Sequence, residues 1–258
     1  MIYYPCFLAG VAYIPVTADI AFLIDGSRYV GRRNFHLEKV FIKSIARRFT
    51  IAKHQSHIGV ATYGSQPHLC MRLNQYKSLG LVLRALNYIR YPNQNGRRVD
   101  LGMNKALSYF FNRKNKYSFV QKILVIVVGG RQTRWSYYLV RRLRTQFAKL
   151  GVKVYVVGVG RIDYKYLRPI TYKNRHMYTV RSYRSLVTRA GQIARAIHIE
   201  MVRLLNLHFS KRGQEKALEP VSQKSRNFSD LFRVPQFLLY LRNSEVLSHQ
   251  TSQCSWFF

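Results

Sequence analysis

The chain has 258 residues, 48% of them hydrophobic, enough to bury one substantial core, and its 43 Lys and Arg against 10 Asp and Glu give a formal net charge of +33. A field of that size attracts polyanions without choosing among nucleic acid, sulfated glycosaminoglycan, anionic membrane and acidic protein, because the attraction is blind to sequence. Cys6, Cys70 and Cys254 are too few and too scattered for a disulfide framework or a Cys-ligated zinc site.

Residues 1–18, MIYYPCFLAGVAYIPVTA, form an apolar leader with a small-residue ending, Val16 to Ala18, that reads as a signal peptide; it lacks a basic start and is interrupted by Pro5 and Pro15, so a fragment boundary or a packed strand stays open. The run is too short and too broken for a membrane span, and none is expected elsewhere. From Asp19 onward, short apolar runs alternate with amphipathic stretches, the pattern of strands and crossover helices around a mostly parallel sheet. Strands are predicted at 20–25 (IAFLID), 57–64 (HIGVATYG), 122–130 (KILVIVVGG) and 152–160 (VKVYVVGVG), with an edge strand near 68–73 and a last one at 177–180. Helices are predicted over 35–49, 79–89, 101–111, 136–151 and 185–205, the first with Val40, Phe41, Ile45 and Phe49 at helical spacing and the fourth with Leu139, Leu143 and Phe147 as its buried stripe. Beyond residue 206 the periodicity fades into Ser, Gln, Lys and Arg, which reads as a flexible basic tail (207–258) following a domain at 19–206.

The succession IAFLIDGS, IGVATYG, LGMNKAL, KILVIVVGGRQT and GVKVYVVGVG resembles the von Willebrand factor A family over residues 19–203, and within it the A domains of type VI collagen chains and matrilins. The resemblance implies a Rossmann-like, doubly wound α/β fold and a non-catalytic protein- or matrix-binding role outside the cell, with assembly into homo- or hetero-oligomers with related chains. It also implies a divalent-cation site built from an Asp-x-Ser-x-Ser loop, a Thr and a second Asp, since hard cations require oxygen ligands. Here Asp25 and Ser27 match, but Tyr29 replaces the second Ser, Val99 the Thr and Gly129 the second Asp. Arg28, Arg97, Arg98 and Arg131 fall on the same loops, and fixed cations oppose metal binding, so no metal and no cofactor are expected.

In open α/β sheets ligands bind beyond the carboxyl ends of the strands, where the loops carry Arg28, Arg32 and Arg33, then Arg97 and Arg98, then Arg131 and Arg134. Such a cluster grips carboxylates or sulfates in bidentate fashion without a metal; the plainer reading is that a chain this basic places arginines on any loop. A second basic patch, Arg141, Arg142 and Arg144, follows Trp135, Tyr137 and Tyr138 and reads either as a solvated helix face or as a contact for heparin-like chains or nucleic acid. The 19 tyrosines allow base stacking, but Tyr63, Tyr155 and Tyr178 fall in predicted strands, where packing accounts for them. The eight histidines are dispersed, no Gly-x-Ser-x-Gly elbow or phosphate-binding loop occurs, and no enzyme activity is expected.

The sequence therefore points to a secreted matrix or adhesion module whose cationic surface faces acidic proteins or sulfated glycans. A Cys6–Cys254 bridge and glycosylation at Asn227 would accompany secretion. The competing readings are an intracellular A-type domain associated with nucleic acid, and a decayed or truncated copy.

Overall fold

The longest branched apolar run, KILVIVV, lies at the centre of the sheet, because a strand flanked by helices on both faces has no polar side to show. The structure is a computed structural model describing residues 17–111, 120–130, 136–162, 164–171 and 173–217, with side chains of the last helix to Val202. The chain divides into two units, Met1–Lys211 and Arg212–Phe258; the architecture that follows is that of the first.

Six strands, β1 (Ala18–Asp25), β2 (His57–Tyr63), β3 (His68–Met71), β4 (Gln121–Gly129), β5 (Val152–Val159) and β6 (Met177–Val180), form one sheet in the order β3-β2-β1-β4-β5-β6. All neighbouring pairs are parallel except β2–β3. Among the described residues six α-helices, α1 (Arg32–Ala46), α2 (Leu79–Tyr88), α3 (Val99–Ala106), α4 (Tyr137–Lys149), α5 (Tyr164–Leu167) and α6 (Tyr183–Ala217), provide the crossovers and flanks. The fold is thus the doubly wound α/β architecture expected. Its first half winds outward from β1 and its second outward from β4, leaving a switch point between these two strands.

Alternation along β1 fills both cores. Ile20, Phe22 and Ile24 meet Phe35, Phe41, Ile42 and Ile45 of α1 and Ile193 and Ile197 of α6, while Ala21 and Leu23 meet Val99 and Met103 of α3 and Val140, Leu143 and Phe147 of α4. Each of the fully buried aliphatic or aromatic side chains contributes about 1.5–3 kcal/mol relative to exposure.

Element boundaries shift from the sequence expectation for local reasons. Helix α1 begins three residues early because Gly31, at φ 77°, turns the chain ahead of Arg32, and it ends at Ala46, although Phe49 remains buried. The helix expected over 101–111 is two pieces, α3 and a π-turn at Leu107–Phe111. On α4 the buried set is Val140, Leu143 and Phe147, with Leu139 only half-buried, one position away from the expected stripe. The short α5 carries no periodicity to read, and α6 runs past residue 206 to Ala217; residues 218–258, like the leader to residue 16, lie outside the described residues. Among the described residues, no helix is long and apolar enough to cross a membrane.

Candidate functional site

At the switch point the carboxyl ends of β1 and β4 deliver Asp25 and Gly129 to the same place. Asp25 is fully buried, and its Oδ1 accepts the Ser27 amide at 2.9 Å. The loop from Gly26 to Gly31 is stitched to the next crossover: Gly26 N donates to Tyr63 O (2.7 Å), Gln94 N to Gly26 O (3.1 Å) and Arg28 N to Gln94 O (2.7 Å). The Tyr91 hydroxyl donates to Ser27 O (2.7 Å) and accepts the Gly31 amide (3.1 Å). Pro92 packs so close that a Cβ on residue 26 would lie 2.9 Å from its Cγ, which explains the glycine.

Arg97, carried into the site by the Tyr91–Arg98 segment, turns inward. Its Nε stands 3.3 Å from Asp25 Oδ2 and donates to Ser27 Oγ at 3.2 Å, while its guanidinium carbon lies 4.9 Å from the centre of the Tyr29 ring. Arg28 lies against the same ring at 5.4 Å. Burial raises the Asp25 carboxyl to about 6, against the opposing hydrogen bonds from Ser27 and the charge of Arg97.

Two further side chains adjoin Asp25 and Gly129. Glu38 of α1 is fully buried; burial, and secondarily the charge of Asp25, push it well above the usual carboxylate range, against an opposing backbone hydrogen bond from Asp25 and the charge of Arg97. The Tyr183 hydroxyl, at the start of α6, occupies the space beside Gly129 that any side chain there would need, and burial raises it strongly. The spacing Phe35, Glu38, Phe41, Ile42, Ile45 places Glu38 on the buried stripe of α1, a signal that the sequence contained. Tyr183 gives no local signal, because its role depends on the return of a helix from the far end of the chain.

The resemblance places a divalent cation here. Of the positions that the resemblance assigns to one, Asp25 and Ser27 carry oxygens and both face Arg97 Nε; Tyr29 is 52% exposed, Val99 is buried hydrocarbon and Gly129 has no side chain. Among the described residues, no three His, Cys, Asp or Glu side chains are grouped to hold a metal ion.

Of the arginines expected to line this mouth, Arg97 and Arg98 turn to the chain's own carboxylates, because the loop end brings each within reach of a buried aspartate. Arg98 makes a bidentate pair with Asp100 at 2.9 Å on each arm, and Asp100 Oδ2 also accepts the Ser136 amide at 2.9 Å. Arg28, Arg32 and Arg33 are exposed at the rim. Arg131 and Arg134 lie outside the described residues. On α4, Arg141 and Arg142 are exposed, while Arg144 is half-buried and donates to Arg168 O at 3.4 Å. Exposed Tyr137 and Tyr138 line a cleft of about 780 Å³ together with Arg141, Arg142 and Lys149.

The chain is similar to known proteins in the same region. Residues 19–192 match the family model of the von Willebrand factor type A domain. Von Willebrand factor A domain-containing protein 2 of Xenopus laevis is 28% identical over 173 residues, covering 65% of this chain and 21% of that protein. The collagen alpha-6(VI) chain of Homo sapiens is 27% identical over 184 residues, covering 71% of this chain and 8% of that one. The chain thus spans about a fifth or less of these two relatives. Among solved structures, proximal thread matrix protein 1 from the mussel byssus, with a zinc-occupied MIDAS motif, superposes with a TM-score of 0.63 at 20% identity, covering 70% of this chain and 48% of that one. With the family model spanning most of the chain and the doubly wound sheet in place, the chain belongs to the von Willebrand factor type A domain family.

Proposed function

We propose that this chain is a non-catalytic binding module of the extracellular matrix that recognises an acidic partner, an acidic protein or a sulfated glycan, through guanidinium groups and without a metal ion. The observation that carries this reading is the placement of Arg97: its guanidinium already neutralises Asp25 and engages Ser27, while Arg28, Arg32 and Arg33 stay exposed at the mouth. A ligand carboxylate or sulfate arriving there meets exposed guanidinium groups, each able to bind it in bidentate fashion, and the α1 amino terminus adds its dipole. Matrix relatives such as the collagen alpha-6(VI) chain support an extracellular setting and membership in a larger assembly.

Binding of the whole chain to heparin and to an acidic protein, measured at physiological salt with Mg²⁺ and with a chelator, tests the reading. Equal affinity in both buffers, with binding of the acidic protein reduced about tenfold or more in Arg28→Ala/Arg32→Ala/Arg33→Ala, is the expected result; chelator-sensitive binding, or no binding to either ligand, refutes it.

The α4 cleft favours a second reading. Tyr137 and Tyr138 beside Arg141 and Arg142 pair stacking surfaces with cations, as a single-stranded nucleic acid requires. Tight binding of a mixed-sequence oligonucleotide, abolished by Tyr137→Ala/Tyr138→Ala while heparin binding persists, would establish it.

A further inference from the structure

A different cationic cleft lies farther along the sheet's carboxyl edge, where β5 and β6 finish and α6 begins. The Gly160 amide donates to Val180 O at 2.8 Å, which pins the chain leaving β5 to the end of β6. Gly160 has φ 87°, so the turn is made without a side chain and Arg161 follows immediately. Arg181 follows β6 in the same way, and Ser182 then caps α6 by accepting the Ser185 amide at 3.2 Å. Between these segments is a cavity of about 830 Å³, walled by Arg161, Arg181 and Arg189 and by the hydroxyl-bearing Thr179, Ser185 and Thr188. Its volume falls within the ~300–1,000 Å³ of ordinary ligand pockets.

The chemistry of the walls selects an anion. All three arginines are exposed, and among the described residues none is paired with a carboxylate. Arg189 donates to the neutral Gln192 Oε1 at 3.1 Å, which leaves its charge in place. Three like charges around one cleft favour a multivalent anion, the first turn of α6 adds its positive dipole end, and the hydroxyls supply further donors to tetrahedral oxyanions. Among the described residues no aromatic ring lines the cavity, so a nucleic-acid base entering it meets none of them to stack on.

We infer that this cleft is a binding site for a sulfated glycan segment, with Arg161, Arg181 and Arg189 holding successive sulfate groups. The inference rests on the reading of the module as one that recognises acidic partners, and gives it a site separate from the switch-point mouth.

The test uses the whole chain, a heparin octasaccharide as probe, and calorimetry or surface-based affinity at physiological salt. It compares wild type with the cleft triple variant Arg161→Ala/Arg181→Ala/Arg189→Ala, its Arg→Lys counterpart, and the charge-matched control Arg72→Ala/Lys77→Ala/Arg90→Ala, whose residues are exposed near β3 and α2. Thermal unfolding confirms that each variant folds. The expected result is a loss of about tenfold or more in the cleft triple, a smaller loss in the Lys version, because charge remains but the bidentate fork is gone, and under about threefold in the control. Equal losses in cleft and control variants would mean diffuse attraction and overturn the site. A single-stranded DNA of matched charge that binds as tightly and loses as much in the cleft triple would overturn the glycan assignment. Wild type that binds an acidic protein but not the octasaccharide sinks the cleft alone; wild type that binds neither sinks the broader reading with it.

Discussion

Arg97 and Asp25, 72 positions apart in the sequence, meet at the switch point with Nε 3.3 Å from Oδ2, the carboxylate fully buried and the arginine side chain 13% exposed. This pair fixes the mouth of the fold: it joins the loop after β1 to the segment entering α3 and supplies a permanent positive charge where the Asp25 carboxylate demands one.

Removing Arg97 should therefore cost more than a surface ion pair. Arg97→Ala is expected to lower unfolding free energy by about 3 kcal/mol at pH 8, since an uncompensated buried carboxylate is left behind. At pH 5 the deficit should shrink, because Asp25, already raised to about 6, takes up a proton instead. Urea midpoints for wild type and variant at both pH values check this; a pH-independent deficit would mean that Arg97 acts through packing alone.

Glu38 offers the opposite case, a buried carboxyl that weakens the fold. Its folded value lies well above its ordinary 4.5, so its favourable contribution is complete below that value and is lost as pH rises toward the folded one. Glu38→Leu should stabilise the protein by about 1–3 kcal/mol at pH 8 and by much less at pH 4, and Glu38→Gln should flatten this part of the pH profile. Chemical unfolding of the three proteins between pH 4 and 8 measures it.

The contact between Gly129 and Tyr183 predicts a coupled pair of substitutions. A Cβ at position 129 would overlap the Tyr183 hydroxyl yet lie 3.4 Å from the ring carbon bearing it, an ordinary contact once the oxygen is gone. Gly129→Ala should cost about 1–3 kcal/mol alone and far less in a Tyr183→Phe background. A double-mutant cycle without coupling would place Tyr183 elsewhere. Installing Asp at 129 meets the same obstruction, so that single change is expected not to create a magnesium site, as a Tm unaffected by millimolar Mg²⁺ would register.

At the other end of β1, His57 Nδ1 lies 2.8 Å from Asp19 Oδ1, and the hydrogen bond to Asp19 raises the imidazole above its ordinary 6.5. Its stabilisation is fully present below 6.5 and is lost as pH rises through the folded value. NMR titration should find the His57 value above 6.5 in wild type and lowered in Asp19→Asn, whose stability deficit should be larger at pH 6 than at pH 9.

The candidate site was only partly legible in the sequence. Asp25 and Ser27 stand out because a loop at a strand end shows its polar residues locally, and the departures at Tyr29, Val99 and Gly129 are visible beside them. That Arg97 and Arg98 are drawn onto Asp25 and Asp100, leaving Arg28, Arg32 and Arg33 at the rim, depends on side-chain direction at a loop end, and composition carries no such information. The cleft of Arg161, Arg181 and Arg189 likewise gathers residues from the ends of two strands and the start of a helix.

The sequence by itself determined the strand and helix succession, because burial on one or both faces imposes a period that the apolar residues must follow. It determined the excess of positive charge, and through the motif order it determined the family. Only the tertiary structure decided where that charge is neutralised and where it is exposed, that Glu38 is sealed in the interior, and that Tyr183 fills the space beside Gly129. Those outcomes depend on which distant segments share a cavity, and contact across a parallel sheet is set by how the crossovers close, not by any spacing along the chain.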